Sequence, residues 1–212
     1  MVSIGSEDLE TKSWTHKCAG TIITSNAILT SSKCLEKIGE EEGKIKAGAE
    51  NLESSEAGRF VETYEVHSRF SFATNDLAVV TTTKNMHFNN ETQAICLPPT
   101  EELGQYDETG VFAMFQQEER TANFEDMTKC SSLQGLNVTC CSKMCVKLDH
   151  GFEFFPKDSG APLIQQGGRR LNFEVIGILA DLKEDDGTNT GVFAYLKDPD
   201  NFEFIKKKSK KG

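Results

Sequence analysis

Short runs of β-branched and aromatic residues recur along this chain with turn signals between them: Thr21 to Thr24, Ala27 to Thr30, Phe60 to Val66, Leu77 to Thr81, Val111 to Phe115, Phe173 to Leu179 and Val192 to Leu196. Runs of that length bounded by Gly, Asn, Asp and Ser set an all-β rhythm. Ser25-Asn26 joins the first two as a tight hairpin, and Glu40-Glu41-Glu42-Gly43 and Asp185-Asp186-Gly187 read as exposed acidic loops. Two stretches invite helix. Asp198-Pro199 can start one that places Phe202 and Ile205 on one face, and a second is read around Ala122 to Lys129. All-β barrels and sandwiches often use about 200 residues for one domain, so the 212 residues are read as one unit. Pro98-Pro99-Thr100 is the candidate connection between two halves.

Seven cysteines, five of them between Cys96 and Cys145, suggest an oxidising compartment and hence secretion. The sequons Asn90-Glu91-Thr92 and Asn137-Val138-Thr139 point the same way. Met1 to Asp8 has no basic start followed by an apolar stretch, so no signal peptide is read there. No window approaches the roughly 20 consecutive apolar residues that cross a bilayer. Lys plus Arg number 23 against 33 Asp plus Glu, a formal charge of -10, which argues against a nucleic-acid binder because phosphate contacts need a basic face. The run Lys206-Lys207-Lys208-Ser209-Lys210-Lys211 is read first as a frayed, solvated tail and second as a stretch able to meet an anionic surface. Glu184-Asp185-Asp186-Gly187 has no metal-ligand pattern, and no metal or cofactor is expected.

Three segments carry a resemblance. His16-Lys17-Cys18-Ala19-Gly20-Thr21-Ile22-Ile23 and Ala27-Ile28-Leu29-Thr30-Ser31-Ser32-Lys33-Cys34 resemble C-G-G-S-L-I and V-L-T-A-A-H-C. Thr74-Asn75-Asp76-Leu77-Ala78-Val79-Val80 resembles N-D-I-A-L-L, trailed by Ala94-Ile95-Cys96-Leu97-Pro98 for I-C-L-P. Lys157-Asp158-Ser159-Gly160-Ala161-Pro162-Leu163 resembles G-D-S-G-G-P-L. In this order, with Val175-Ile176-Gly177-Ile178 and Gly191-Val192-Phe193, they are similar to the trypsin-like (chymotrypsin-fold) serine protease family over nearly the whole chain. The resemblance implies two six-stranded antiparallel β-barrels with a cleft between them and a short closing helix. It places the first barrel at about 1–97, the second at about 106–198, and the helix and basic run at 199–212.

In that family a serine attacks the peptide carbonyl, a histidine takes its proton, and an aspartate orients the histidine. Ser159 and Asp76 match the outer roles; Lys33 stands at the histidine's place. A carboxylate beside an ammonium favours the charged form, so Lys33 is expected to stay protonated and to be no base near neutral pH. His67 matches a non-catalytic family histidine, His16 precedes the first cysteine, and His87 and His150 fall in loops; none matches the site. The glycine whose N–H completes the family's oxyanion hole is Lys157, which enters unusual backbone angles less readily. Glu153 occupies the specificity-pocket position, but Phe155 replaces the first of the two cysteines that tie the pocket walls, and no cysteine follows Cys145. Ala180-Asp181-Leu182 stands for S-W-G, so Leu182 is expected to obstruct the pocket mouth.

The family's activated amino terminus pairs with the aspartate equivalent to Asp158. Met1-Val2-Ser3-Ile4-Gly5 matches I-V-G-G poorly, and the run to Cys18 reads as too short for the family's first strand, so Asp158 either lacks that partner or uses Lys157 or another cation. The resemblance pairs Cys18 with Cys34. It pairs Cys130 with Cys145, with Cys140 or Cys141 open as alternatives. Cys96 either ties to an upstream segment or bonds locally to Cys140 or Cys141.

The leading expectation is a secreted, non-catalytic homologue that binds a protease, a protease substrate or a receptor. Its candidate surface is the acidic loops and the segment Phe152 to Lys157, where Phe152, Phe154 and Phe155 either face a partner or fill the vacated pocket. The alternatives are a hydrolase in which Ser159 is served by Lys33, and a partial or decayed protease-like product.

Overall fold

In the computed structural model, the residues described are 1–8, 10–36, 38, 44–47, 59–66, 76–90, 92–99, 109–112, 120–124, 143–147, 156–166, 172–185 and 188–209. Strands β1 (Val2–Glu7), β2 (Trp14–Ile22), β3 (Ala27–Thr30), β4 (Lys44–Ala47), β5 (Arg59–Val66) and β6 (Ala78–Thr82) close one barrel in the order β1-β2-β3-β6-β5-β4. Strands β7 (Thr109–Phe112), β8 (Arg120–Phe124), β9 (Lys143–Lys147), β10 (Pro162–Gln166), β11 (Phe173–Asp185) and β12 (Thr188–Tyr195) close a second, β10-β11-β12-β9-β8-β7. The strand pairs are antiparallel. Helix α1 is Ser32–Glu36, a 3-10 turn covers Pro156–Asp158, and α2 is Pro199–Ser209.

Alternation along the strands explains why the central runs are apolar almost throughout. In β6, Ala78 and Val80 point into the first barrel, where they meet Val2, Ile4, Ile22, Ile28 and Ile45. Val79 points the other way, into a layer between the barrels shared with Leu29, Leu77, Val175, Ile178, Ala194, Leu196 and Ile205. In β12, Phe193 lies in the second barrel's core, edge-on to Phe112 with centroids 5.5 Å apart, while Ala194 joins the layer between.

The turn Thr24 to Asn26 closes the first hairpin, with the Ala27 N–H donating to Thr24 Oγ1 (3.0 Å). Asp198 caps α2 by accepting from the Asp200 and Asn201 N–H groups, both at 3.1 Å, with Pro199 in the first helical position. The buried face of α2 is turned from the expected one. Ile205 is buried and Phe204 packs on the layer between the barrels, but Asn201 rather than Phe202 is the other buried position, its amide donating to the Tyr195 carbonyl (2.8 Å). Lys206 to Ser209 continue the helix instead of fraying.

Two expectations are corrected. The run before Cys18 is not too short for the first strand. Val2–Glu7 is the first strand, paired with β2 and β4, because Val2 and Ile4 fit the barrel core. Ala122 to Phe124 belong to β8, hydrogen-bonded between β7 and β9, so sheet pairing overrides the local helical pattern; 125–129 lie outside the described residues.

Candidate functional site

The turn from β3 into α1 sets the first side of the site. Ser31 caps α1, its hydroxyl accepting the Cys34 N–H (3.1 Å), and the disulfide Cys18–Cys34 ties α1 to β2. Held this way, the Lys33 N–H donates to Asp76 Oδ1 (3.1 Å), and Ser32 Oγ donates to the Leu77 carbonyl (2.9 Å). The Lys33 ammonium lies 4.0 Å from Asp76 Oδ2 and 3.4 Å from Asp181 Oδ2, and Lys183 reaches Asp181 Oδ2 at 3.7 Å. Asp76 is only 1% exposed, and its Oδ2 accepts no hydrogen bond.

Burial pushes the Asp76 carboxyl up, against the pull of the Lys33 N–H and ammonium, the Ser32 N–H and Lys143. Lys143, on β9, is 4% exposed. Burial holds its ammonium below the usual lysine range, with Asp76 and Asp181 opposing and Lys33 and Lys183 adding to that depression. These side chains form a cluster of three lysines and two aspartates running from a buried end at Asp76 and Lys143 to an open end at Asp181 and Lys183. Sequence reading treated Asp181 only as a replaced tryptophan and missed Lys143, whose alternating context, Lys-Met-Cys-Val-Lys, reads as one wet face.

Ser159 sets the other side. It follows the 3-10 turn Pro156–Asp158, and its carbonyl accepts the Ala19 N–H (2.9 Å). The Gly160 N–H donates to the Leu179 carbonyl (2.8 Å) at a φ of 90°. The Ser159 hydroxyl lies 2.6 Å from that of Ser31, with both residues buried. Ser31, at a position where the resembling motif has alanine, also escaped sequence reading; the polar pair Ser31-Ser32 was the signal. Lys157 is wound into the 3-10 turn with an exposed side chain, and Lys12 is the one non-glycine with positive φ among the described residues. The Leu182 N–H donates to Asp181 Oδ1 (3.0 Å), and its side chain, opposite Gly191, packs half-buried on the second barrel's core.

Asp158, 4% exposed, is the last residue of this turn. Close by, Trp14 Nε1–H donates to Ser3 Oγ (2.8 Å), and Ser3 Oγ lies 2.6 Å from His16 Nδ1. Burial, with help from the Lys157 ammonium, pushes His16 down to about 4; a hydrogen bond to the Lys157 backbone offsets part of this. The folded state therefore favours the neutral ring. Its contribution is fully present above the unfolded value of 6.5 and is lost as pH falls toward about 4. Asp76 acts oppositely, its raised carboxyl favouring the fold as pH falls. The melting temperature of a His16→Gln variant is expected to fall less than the parent's between pH 6.5 and 4. Parallel curves would remove His16 as the cause.

Glu153, Asn137, Cys130, Cys140, Cys141, Phe152, Phe154, Phe155, His67 and His150 lie outside the described residues. Cys145 is disulfide-bonded, to a partner also outside them. Cys96 is free and exposed, so its local bond to Cys140 or Cys141 is not made; its carbonyl instead accepts the Val175 N–H (3.0 Å) in a one-residue bridge to Glu174. Asn90 is exposed in a loop where Thr92, buried, donates its N–H to Asn89 Oδ1 (2.7 Å). Among the described residues no helix is long and apolar enough to cross a membrane.

Two closed six-stranded barrels with serine and aspartate turns meeting at their junction define the chymotrypsin-like class of fold. The chain belongs to the trypsin family: the family model described as Trypsin matches residues 2–201. Chymotrypsin-C of Bos taurus is 27% identical over 190 residues, covering 81% of this chain and 70% of that protein. Trypsin delta of Drosophila erecta is 25% identical over 169 residues, 74% of this chain and 67% of its own length. Trypsin delta of Drosophila melanogaster is 24% identical over 171 residues, 74% and 67% respectively.

Proposed function

We propose that this trypsin-family chain is a secreted, non-catalytic serine protease homologue that acts by holding a protein partner: a protease, a protease substrate or a receptor. The observation that carries the reading is the double commitment at Lys33 and Ser159. Lys33 sits at the family histidine's position with its ammonium between Asp76 and Asp181. Both carboxylates hold the Lys33 amine in ion pairs, at the place of the imidazole that takes the serine's proton in this family. The Ser159 hydroxyl is paired with Ser31. The 3-10 turn at Lys157 and the half-buried Leu182 support the same reading, since they alter the oxyanion and pocket positions. The rival, an active serine served by Lys33, needs that amine released from Asp76 and Asp181 and the Ser159 hydroxyl released from Ser31.

The disulfide Cys18–Cys34 and the bonded Cys145 fit secretion. Free, exposed Cys96 is placed to link the chain to a further segment. In this reading the two barrels, about 1–97 and 106–198, work as one domain.

Labelling by a fluorophosphonate serine-hydrolase probe tests the reading. The parent is expected to label at the background rate of a Ser159→Ala control, because loss of a triad member lowers turnover by about 10⁴-fold or more. Stoichiometric labelling that disappears in Ser159→Ala would establish an activated serine and reverse the proposal.

A further inference from the structure

Residues 204–212 hold five lysines and no acidic residue, a local charge of +5 on a chain whose total is -10, so the remainder carries -15. A helix C-terminus attracts cations, but its macrodipole amounts to only about half an elementary charge. Five ammoniums exceed that need about tenfold. Helix α2 presents three of them on an ordered element: Ile205 and Asn201 fix it to the barrels, Lys206 and Lys207 are exposed, and Lys208 is half-buried. Lys210 and Lys211 repeat the pair at a spacing of four in the sequence.

We propose that the lysine end of α2 is a binding surface for a linear, densely charged polyanion, a sulfated polysaccharide, separate from the old cleft. A body of charge -15 repels a sparsely charged acid, so the partner must offer several anions to the lysines at once. A bilayer is disfavoured on the helix's own composition. Its nearest apolar residues in sequence, Phe204 and Ile205, pack against the layer between the barrels, which leaves the half-buried Phe202 as the apolar side chain on the lysine side, too little for insertion into the headgroup region. The disulfides fit the secreted location of the proposed function, on which the choice of an extracellular sulfated polysaccharide rests.

Heparin serves as the probe, with binding of the whole chain measured across a salt series. The parent is expected to bind with affinity falling about 50-fold between 50 and 200 mM salt, the response of some three to five ammonium–anion contacts. Lys206→Gln/Lys207→Gln should weaken binding at least tenfold and flatten the salt slope. Lys17→Gln/Lys84→Gln, with the same change in net charge, should leave both nearly unchanged. Circular dichroism checks that the helix persists, and Lys210→Gln/Lys211→Gln, beyond the described helix, gives an independent loss. Equal weakening by the two charge-matched pairs would reduce the effect to net charge and overturn the site. Absence of binding at low salt, or binding to phosphatidylcholine/phosphatidylserine vesicles but not to heparin, would overturn the partner class.

Discussion

Gly160→Ala is expected to lower the unfolding free energy by about 3 kcal/mol or more, a large share of the 5–15 kcal/mol typical of a domain. Gly160 holds a φ of 90°, which L-residues rarely adopt. Strain of that kind costs on the order of 1–3 kcal/mol. An added Cβ would also run into the Ala19 carbonyl oxygen and the Thr30 hydroxyl, two atoms already hydrogen-bonded to each other at 2.8 Å. Neither is the free end of a flexible side chain, so relief requires backbone movement. That movement would strain the Ala19 N–H to Ser159 carbonyl bond (2.9 Å) and the Gly160 N–H to Leu179 carbonyl bond (2.8 Å), each worth about 1 kcal/mol. Urea denaturation of parent and variant measures the difference, and a loss below about 1 kcal/mol would contradict the account.

Asp76→Ala is expected to cost about 3–5 kcal/mol, while Asp76→Ala/Lys143→Met should recover most of it. The aspartate's charge is unfavourable in isolation, since burial pushes its carboxyl up. Yet it is the buried counter-charge for Lys33 and Lys143. Removing it leaves the 4%-exposed Lys143 facing the like charges of Lys33 and Lys183. Replacing Lys143 with a flexible apolar side chain removes the desolvated charge, and exchange of a buried ionic pair for apolar groups is commonly neutral or stabilising. A double-mutant cycle on chemical denaturation reads the coupling directly. Additive effects of the two substitutions would show that the charges do not depend on each other.

The features legible in the sequence are those set by local patterns. Runs of β-branched and aromatic residues between turn signals located β3, β5 and β6, the Asp198-Pro199 pair located the start of α2, and the family resemblance around Cys18 and Cys34 marked the observed disulfide. Val2–Glu7 was obscured because the run before Cys18 was measured against the family's amino terminus and judged too short for a strand, and β8 because strand pairing outweighs propensity in so short a segment. The site was legible at Lys33, Asp76 and Ser159, which stand in motifs. It was illegible where meaning arises from contact: Ser31 and Ser159 are 128 positions apart, and nothing local in Lys-Met-Cys-Val-Lys says that Lys143 faces a buried carboxylate. The turn of α2 onto Asn201 likewise depends on the Tyr195 carbonyl that its amide meets.

The turn at Ser159 also has a mechanical role. Its carbonyl is bonded to β2, its hydroxyl meets the cap of α1, and the next residue is bonded to β11, so one dipeptide clasps both barrels. Sliding of one barrel against the other would break the two contacts to β2 and α1 together, while the third keeps the dipeptide on the second barrel. The junction at Ser159 is thus held from both sides, and under the proposed binding role association need spend little free energy on ordering that turn. A partner seated against it would meet backbone already fixed by hydrogen bonds.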